Sequence, residues 1–335
     1  MPVAVRSFAK INIGLIIGSL RDDGYHELRT VYQTLALHDV LKVEVQRGSG
    51  IEIRCKDPRV PDDETNTCYR VADRVLRLLK RRGKVVIAVE KQLPVQGGLG
   101  AASSNAIATL YALEAELKEP IPAEEKLRIA AEVGSDLPLF CVGGTVLGVG
   151  RGEQVYPLQD LPVMCAVVVT PNVAVSTPVA FAAWDKKHDG EARADKLTGN
   201  HNSDRINTFS RSVHGWLSGT LQAGRAGGPT SGVPRDQSRG DRAEALLLDL
   251  VRAGIENDFE RVVFPEHPEL REVKRALERH GAQYCSLSGS GSALYGLFGT
   301  AAAAEKAAKT LTDAGTPAHA TRTLTRAEYW KQIWK

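Results

Sequence analysis

Cysteine is sparse and unpatterned. Cys55, Cys68, Cys141, Cys165 and Cys285 include no C-x-x-C pair, which argues against a disulfide framework and against a zinc site. Long apolar runs are missing too. None approaches the ~20 residues that span a bilayer, and the N-terminus lacks the basic stretch followed by an apolar stretch that marks a signal peptide. A cytoplasmic protein without a membrane partner is expected. Charge of one sign is also lacking: 43 Lys and Arg stand against 40 Asp and Glu, a formal net charge of +3. Nucleic-acid binders carry a clustered basic excess, so a nucleic-acid partner is not expected. No internal repeat is visible.

What remains is ordinary for a globular protein: 335 residues, 43% hydrophobic and 25% charged, enough for two domains. Periodicity predicts strands over 1–17, 38–47, 50–54, 84–90, 144–149 and 163–170, and helices over 66–82, 101–117 and 123–133. Further on, a helix over 268–280, strands over 283–288 and 293–298, a helix over 301–314 and a strand over 317–323 suit a split βαβ, ferredoxin-like layer. Between these halves residues 222–242 are rich in Gly, Pro and charge. Such a segment buries too little apolar surface to offset the entropy of ordering it, so it reads as the heart of a flexible insertion over 185–241.

The most informative stretch runs Pro94-Val-Gln-Gly97-Gly98-Leu99-Gly100-Ala101-Ala102-Ser103-Ser104-Asn105-Ala106, between a predicted strand and a predicted helix. Glycines there let backbone approach a ligand. Free N–H groups at a helix start then make an anion site, to which Ser103 and Ser104 add hydroxyls. It is neither a Walker loop, which ends in Gly-Lys-Ser/Thr, nor a G-x-G-x-x-G dinucleotide fingerprint. The plain alternative is a glycine turn with serine caps.

This string resembles the ATP-binding motif of the galactokinase, homoserine kinase, mevalonate kinase and phosphomevalonate kinase (GHMP) superfamily. Ala9-Lys10-Ile11-Asn12 fits that superfamily's N-terminal strand, and Ser288-Gly289-Ser290-Gly291-Ser292 its late glycine turn. Asp23-Gly24-Tyr25-His26, Gly134-Ser135-Asp136-Leu137-Pro138, Thr177-Pro178-Val-Ala-Phe181 and Glu256-Asn257-Asp258-Phe259-Glu260 narrow the resemblance to the branch that phosphorylates CDP-methylerythritol. The resemblance departs at Gln96, Ala101 and Ala102, where glycines are common, and over about 185–241. It implies an α+β fold of two domains, 1–160 holding ATP and 161–335 with a ferredoxin-like layer, and an active site in the cleft between them. It also implies ATP with Mg2+ as cofactor and CDP-methylerythritol as the small-molecule substrate. Monomer and dimer are both compatible with the sequence. The competing readings are another GHMP kinase, of homoserine or mevalonate type, and a non-catalytic ligand-binding relative.

By the same resemblance Asp136 is the expected general base and Lys10 its partner at the transfer step. The plain alternatives are a helix N-cap for Asp136 and a solvent-facing edge-strand position for Lys10. Period-two alternation places Asn12 on the face of Lys10, and the resemblance assigns it to the substrate. Pro94 and the loop through Ser104 are expected at the ATP phosphates, and Asn66 and Lys91 near the adenine or its ribose. Tyr25, His26 and Phe181 are expected at the cytosine, with Thr177, Gly289 and Ser290 on the substrate. No magnesium ligand set is evident beyond a possible Ser104 hydroxyl.

Overall fold

The computed structural model describes residues 2–95, 97–198, 201–223, 247, 249–250 and 253–335, with the backbone alone at 189–204 and 218–223. The chain divides into two compact units: Met1–Ile11, Tyr32–Leu158 and Leu324–Lys335 form the first, Asn12–Val31 and Gln159–Thr323 the second. A single cut at 160/161 therefore does not describe the division. Two strands of 18 and 21 residues, β1 (Val3–Leu20) and β2 (His26–Gln46), each contribute to both units. Ordinary strands have five or six residues.

In the first unit, β3 (Gly50–Cys55), β4 (Lys84–Glu90), β2, β5 (Thr145–Val149) and β6 (Gln154–Pro157) lie in that order, and β1 pairs with β2. β4 runs parallel to β3, with Ile53 opposite Ile87, and antiparallel to β2, with Val43 opposite Ile87. These apolar pairs meet helices α1 (Thr67–Leu78), α2 (Ala101–Leu117), α3 (Ala123–Val133) and the short α4 (Leu137–Phe140). Asn66 caps α1 by accepting a hydrogen bond from the Cys68 N–H at 2.8 Å, and Val71, Ala72 and Val75 give it a buried face. α2 is buried nearly all round, including Asn105 and Thr109, as its alanine-rich, weakly amphipathic sequence dictates.

In the second unit, β7 (Cys165–Val169), β8 (Tyr284–Leu287), β9 (Leu294–Phe298) and β10 (Ala318–Arg322) form an antiparallel sheet in the order β10-β7-β9-β8. Helix α8 (Pro268–Arg279) precedes the β8–β9 hairpin and α9 (Ala301–Asp313) follows it. This is the ferredoxin-like layer the sequence predicts. Val167, Val169, Leu287 and Leu294 of the sheet pack on Leu270, Leu277, Ala304 and Leu311 of the two helices.

The expected flexible insertion is corrected over much of its length. Residues 185–198 and 201–223 belong to helices α5 (Thr177–Thr198) and α6 (His201–Ala223); 224–241 lie outside the described residues. Ile206, Phe209, Val213 and Trp216 recur at helical spacing and are all buried. That pattern supplies the apolar surface the loop-like composition nearby conceals. Helix α7 (Glu260–Glu266), strand β6 and the C-terminal helix Arg326–Gln332 were likewise not legible. The last is fixed by a capping box between Thr325 and Glu328. Among the described residues no helix is long and apolar enough to cross a membrane.

α6 is tied down by charge as well as by packing. Asp258, fully buried, accepts from the Ile17 N–H at 2.9 Å and from the Arg205 guanidinium at 2.7 Å. Burial pushes the Asp258 carboxyl up from its ordinary value, while these partners pull it back. Arg205→Met should cost about 3 kcal/mol, the low end for breaking a buried pair, because Arg261 still approaches Asp258 at 3.7 Å. Denaturant unfolding measures it; a variant as stable as wild type would show that this pair does not hold α6.

Candidate active site

The glycine-rich stretch leaves β4 and ends where α2 begins. Gly97, Gly98 and Gly100 all take positive φ, a region open to glycine at little cost. At Gly100 space also demands it: a Cβ would stand 2.9 Å from Lys10 Cγ and 3.0 Å from Phe140 Cζ. The Lys10 N–H donates to the Leu99 carbonyl at 3.0 Å, lacing the loop to β1. Ala101 and Ala102 open α2 without positive φ, so alanine in place of glycine is unstrained there. Gln96 lies outside the described residues.

Within the first unit this loop walls a cavity of about 400 Å³. Pro94, Gly98, Leu99, Gly100, Ala101, Ala102 and Ser103 line it, joined by Asn66, Lys91 and Asp136. The start of the 17-residue α2 turns toward the same space with its first N–H groups unused by the helix, an arrangement that attracts anions. Ser104 is instead buried, its N–H donating to the Gly100 carbonyl at 2.8 Å.

Lys10 is buried, not on a solvent-facing edge, and its Nζ stands 3.1 Å from Asp136 Oδ2. The Lys10 side chain is 3% exposed and that of Asp136 33% exposed. Asp136 precedes α4 but makes no side-chain capping bond, so the cap reading of this residue fails on geometry. Its other oxygen, Oδ1, accepts from the Tyr32 hydroxyl at 3.1 Å. Tyr32 was not singled out by the sequence, where it reads as one more apolar position of β2. Burial above all, and then the Asp136 charge, push its phenol well above the ordinary value, so it remains a donor across the neutral range. Gly148 and Gly152 make room for it: a Cβ at either would come within 2.4 Å of the Tyr32 ring or hydroxyl.

Asn66 and Lys91 both line the cavity, and both are already committed. Asn66 caps α1 and donates to the Pro61 carbonyl at 2.6 Å. Lys91 pairs with Asp39, fully buried in β2. Asp39 is the other residue the sequence did not flag; an Asp within an apolar strand was the available signal.

The second unit carries the remaining candidates. Asn12 is buried and donates to Thr30 Oγ1 at 2.9 Å. Tyr25 follows the Asp23-Gly24 turn and is about half exposed. His26 is buried; its Nδ1 lies 3.0 Å from the Gly18 carbonyl, and its Nε2 stands 2.9 Å from Asp185 Oδ1 but out of line for a hydrogen bond. Phe181 stacks on the His26 ring, centroids 5.3 Å apart and planes 5° apart, and packs edge-on against Phe259. One face of Phe181 is thus taken by His26. Thr177 and Ser290 share a hydrogen bond at 2.7 Å. The turn holding Gly289 and Ser290 is fixed by Asn257, which donates to the Leu287 and Gly289 carbonyls at 2.8 Å each. Among the described residues no three His, Cys, Asp or Glu stand close enough to hold a metal ion.

Comparison with known proteins shows the family. Residues 66–144 match the GHMP kinases N terminal domain and residues 242–316 the GHMP kinases C terminal family. A 4-diphosphocytidyl-2-C-methyl-D-erythritol kinase from Solibacter usitatus is 34% identical over 294 residues, 88% of this chain and 80% of that one. A crystal structure of 4-(cytidine 5'-diphospho)-2C-methyl-D-erythritol kinase superposes with a TM-score of 0.68 at 30% identity, covering 96% of this chain and 98% of that one. A homoserine kinase from Cytophaga hutchinsonii reaches a TM-score of 0.69 over 97% of this chain and 95% of that one, but at 18% identity, a likeness of fold alone.

The loop geometry has a direct test. Gly100→Ala forces a left-handed non-glycine residue, about 1–2 kcal/mol, and drives a methyl onto Lys10. It should lower unfolding stability by at least that amount. Unfolding at wild-type denaturant concentration would show that the backbone at Gly100 is free to relax.

Proposed function

The chain belongs to the GHMP kinases, in the family of 4-diphosphocytidyl-2-C-methyl-D-erythritol kinases, and on that premise we propose how its residues carry the reaction. The protein transfers the γ-phosphoryl group of ATP to the 2-hydroxyl of CDP-methylerythritol, a step of the non-mevalonate isoprenoid pathway. The observation that carries the residue assignment is the Lys10–Asp136 contact of 3.1 Å, made by a carboxylate that also lines the glycine-loop cavity.

Phosphoryl transfer asks little covalent chemistry of a protein and much positioning and charge stabilisation. The cavity takes ATP. Its phosphates lie against the backbone of Gly97, Gly98, Leu99 and Gly100 and the first N–H groups of α2, with Pro94, Ala101, Ala102 and the Ser103 hydroxyl around them; the buried Ser104 stands behind this wall. Asn66 and Lys91 meet the adenosine end. Magnesium, when bound, would be held mainly by the nucleotide phosphates and would offset their negative charge. Among the described residues no three His, Cys, Asp or Glu stand close enough to form a cage of their own.

Asp136 is the general base. The Tyr32 hydroxyl on Oδ1 and Lys10 on Oδ2 fix the plane of its carboxylate, and its exposed part accepts the proton of the 2-hydroxyl. The hydroxyl oxygen then bonds to Pγ, the bond from Pγ to the β,γ-bridging oxygen breaks, and ADP departs with that electron pair. The Lys10 ammonium offsets negative charge on the transferring group, an effect strengthened by its burial. For the substrate, Tyr25, His26 and Phe181 are assigned to the cytosine, and Asn12, Thr177, Gly289 and Ser290 to the methylerythritol diphosphate portion. Aromatic faces and the Gly18-oriented His26 ring support the first assignment. The hydroxyl and backbone groups of the Asn257-braced turn support the second.

ATP turnover with CDP-methylerythritol is the test. Asp136→Asn keeps the shape and removes the proton acceptor. It should cut kcat by ~10²–10⁴-fold while ATP still binds. Retention of more than about a tenth of wild-type kcat would remove Asp136 from the base role.

A further inference from the structure

The register that pairs Val40 with Glu90 across β2 and β4 carries Asp39 to Lys91, at the first residue of the loop. Asp39 is fully buried, and both its oxygens are used. Oδ1 accepts the N–H groups of Gln92 and Leu93, at 2.7 Å each. Oδ2 accepts Asn105 Nδ2 at 3.2 Å and the Lys91 ammonium. Asn105 Oδ1 in turn accepts the Ser7 hydroxyl at 2.6 Å. One carboxylate therefore joins β2, the start of the loop and α2, and through Asn105 reaches β1.

Two features set this apart from an ordinary buried ion pair. Both Lys91 and Asn105 line the nucleotide cavity while they are held. The same carboxylate also grips two consecutive backbone N–H groups just before Pro94, where the glycine loop sets off. An ammonium with a strong anion on one side keeps its remaining N–H bonds directed away from that anion. Lys91, held by Asp39 on one side, is part of the cavity wall.

We propose that Asp39 is a positioning residue for the nucleotide: it aims the Lys91 ammonium at the adenosine end of ATP and sets the point from which the phosphate loop departs. Because the pair carries no net charge, Lys91 serves ATP as a directed hydrogen-bond donor and not as a counter-charge. The proposal rests on the cavity being the ATP site.

The test compares Asp39→Asn, Lys91→Met and the double variant, reading KM for ATP, kcat and melting temperature separately. Lys91→Met should raise KM for ATP about tenfold, the scale of one lost charge-assisted hydrogen bond, with kcat nearly unchanged. Asp39→Asn should raise KM for ATP by at least as much and also lower the melting temperature, since it strands an ammonium away from water. The double variant removes that stranded charge. It should recover much of the melting temperature and none of the KM. A KM raised in Asp39→Asn, where Lys91 is still present, is what a purely structural Asp39 would not produce. If Asp39→Asn keeps the wild-type KM while Lys91→Met raises it, the positioning role is overturned and the ATP site stands. If neither variant changes KM for ATP, the assignment of the cavity itself is wrong. Should Asp39→Asn not fold, Asp39→Glu decides, because it keeps the ion pair but displaces the ammonium: a KM for ATP raised at least fivefold supports the proposal, and a wild-type KM overturns it.

Discussion

An ammonium group withdrawn from water must have an anion beside it or lose its charge. Lys10, buried in β1 between Ala9 and Ile11, is in that position, and Asp136 is its anion. The constraint reaches outward from the pair. Asp136 has to arrive at β1 from the turn between α3 and α4. Gly100 has to lack a side chain so that the Lys10 stem can pass. Tyr32 has to lie flat between two glycines for its hydroxyl to reach the other carboxylate oxygen. The pair also fixes where the carboxylate's open side points, the side to which the proposed mechanism brings the hydroxyl.

The first unit repeats this device at a second place. Lys91 and Asp39 form another lysine–carboxylate pair on the wall of the same cavity, with the roles of the partners exchanged. There the carboxylate is the fully buried member and both its oxygens are engaged by backbone and side-chain donors, so it holds its partners in place. At Lys10 and Asp136 the lysine is the more deeply buried member and the carboxylate keeps part of its surface exposed. Burial and the number of donors thus set the two pairs apart, although the residue types are the same.

Much of this was legible in the sequence because it rests on local rules. Glycines at 97, 98 and 100 announce positive φ before a helix. Alternation puts Lys10 inside an apolar strand. The helix–hairpin–helix–strand order of the last third gives the ferredoxin-like layer. Three things were not legible. Tyr32 acts through a partner 104 positions away and Asp39 through partners 52 to 66 positions away, so even where an Asp in an apolar strand is visible its partners are not. Helices α5 and α6 lie in a polar stretch whose few apolar residues, Ile206, Phe209, Val213 and Trp216, gain meaning only once they are seen buried together. The division into units was missed because β1 and β2 are far longer than the strands on which a sequence reading is calibrated.

The central claim is that Lys10 and Asp136 work as one unit at the transfer step, and the most direct measurement is kcat for Lys10→Ala, Asp136→Asn and the double variant. Groups that act together are strongly non-additive. The account predicts a double variant hardly slower than the slower single one, with ATP binding retained in all three. Single effects that multiply in the double variant would contradict it, because two independent contributions would then stand where one joint device is claimed.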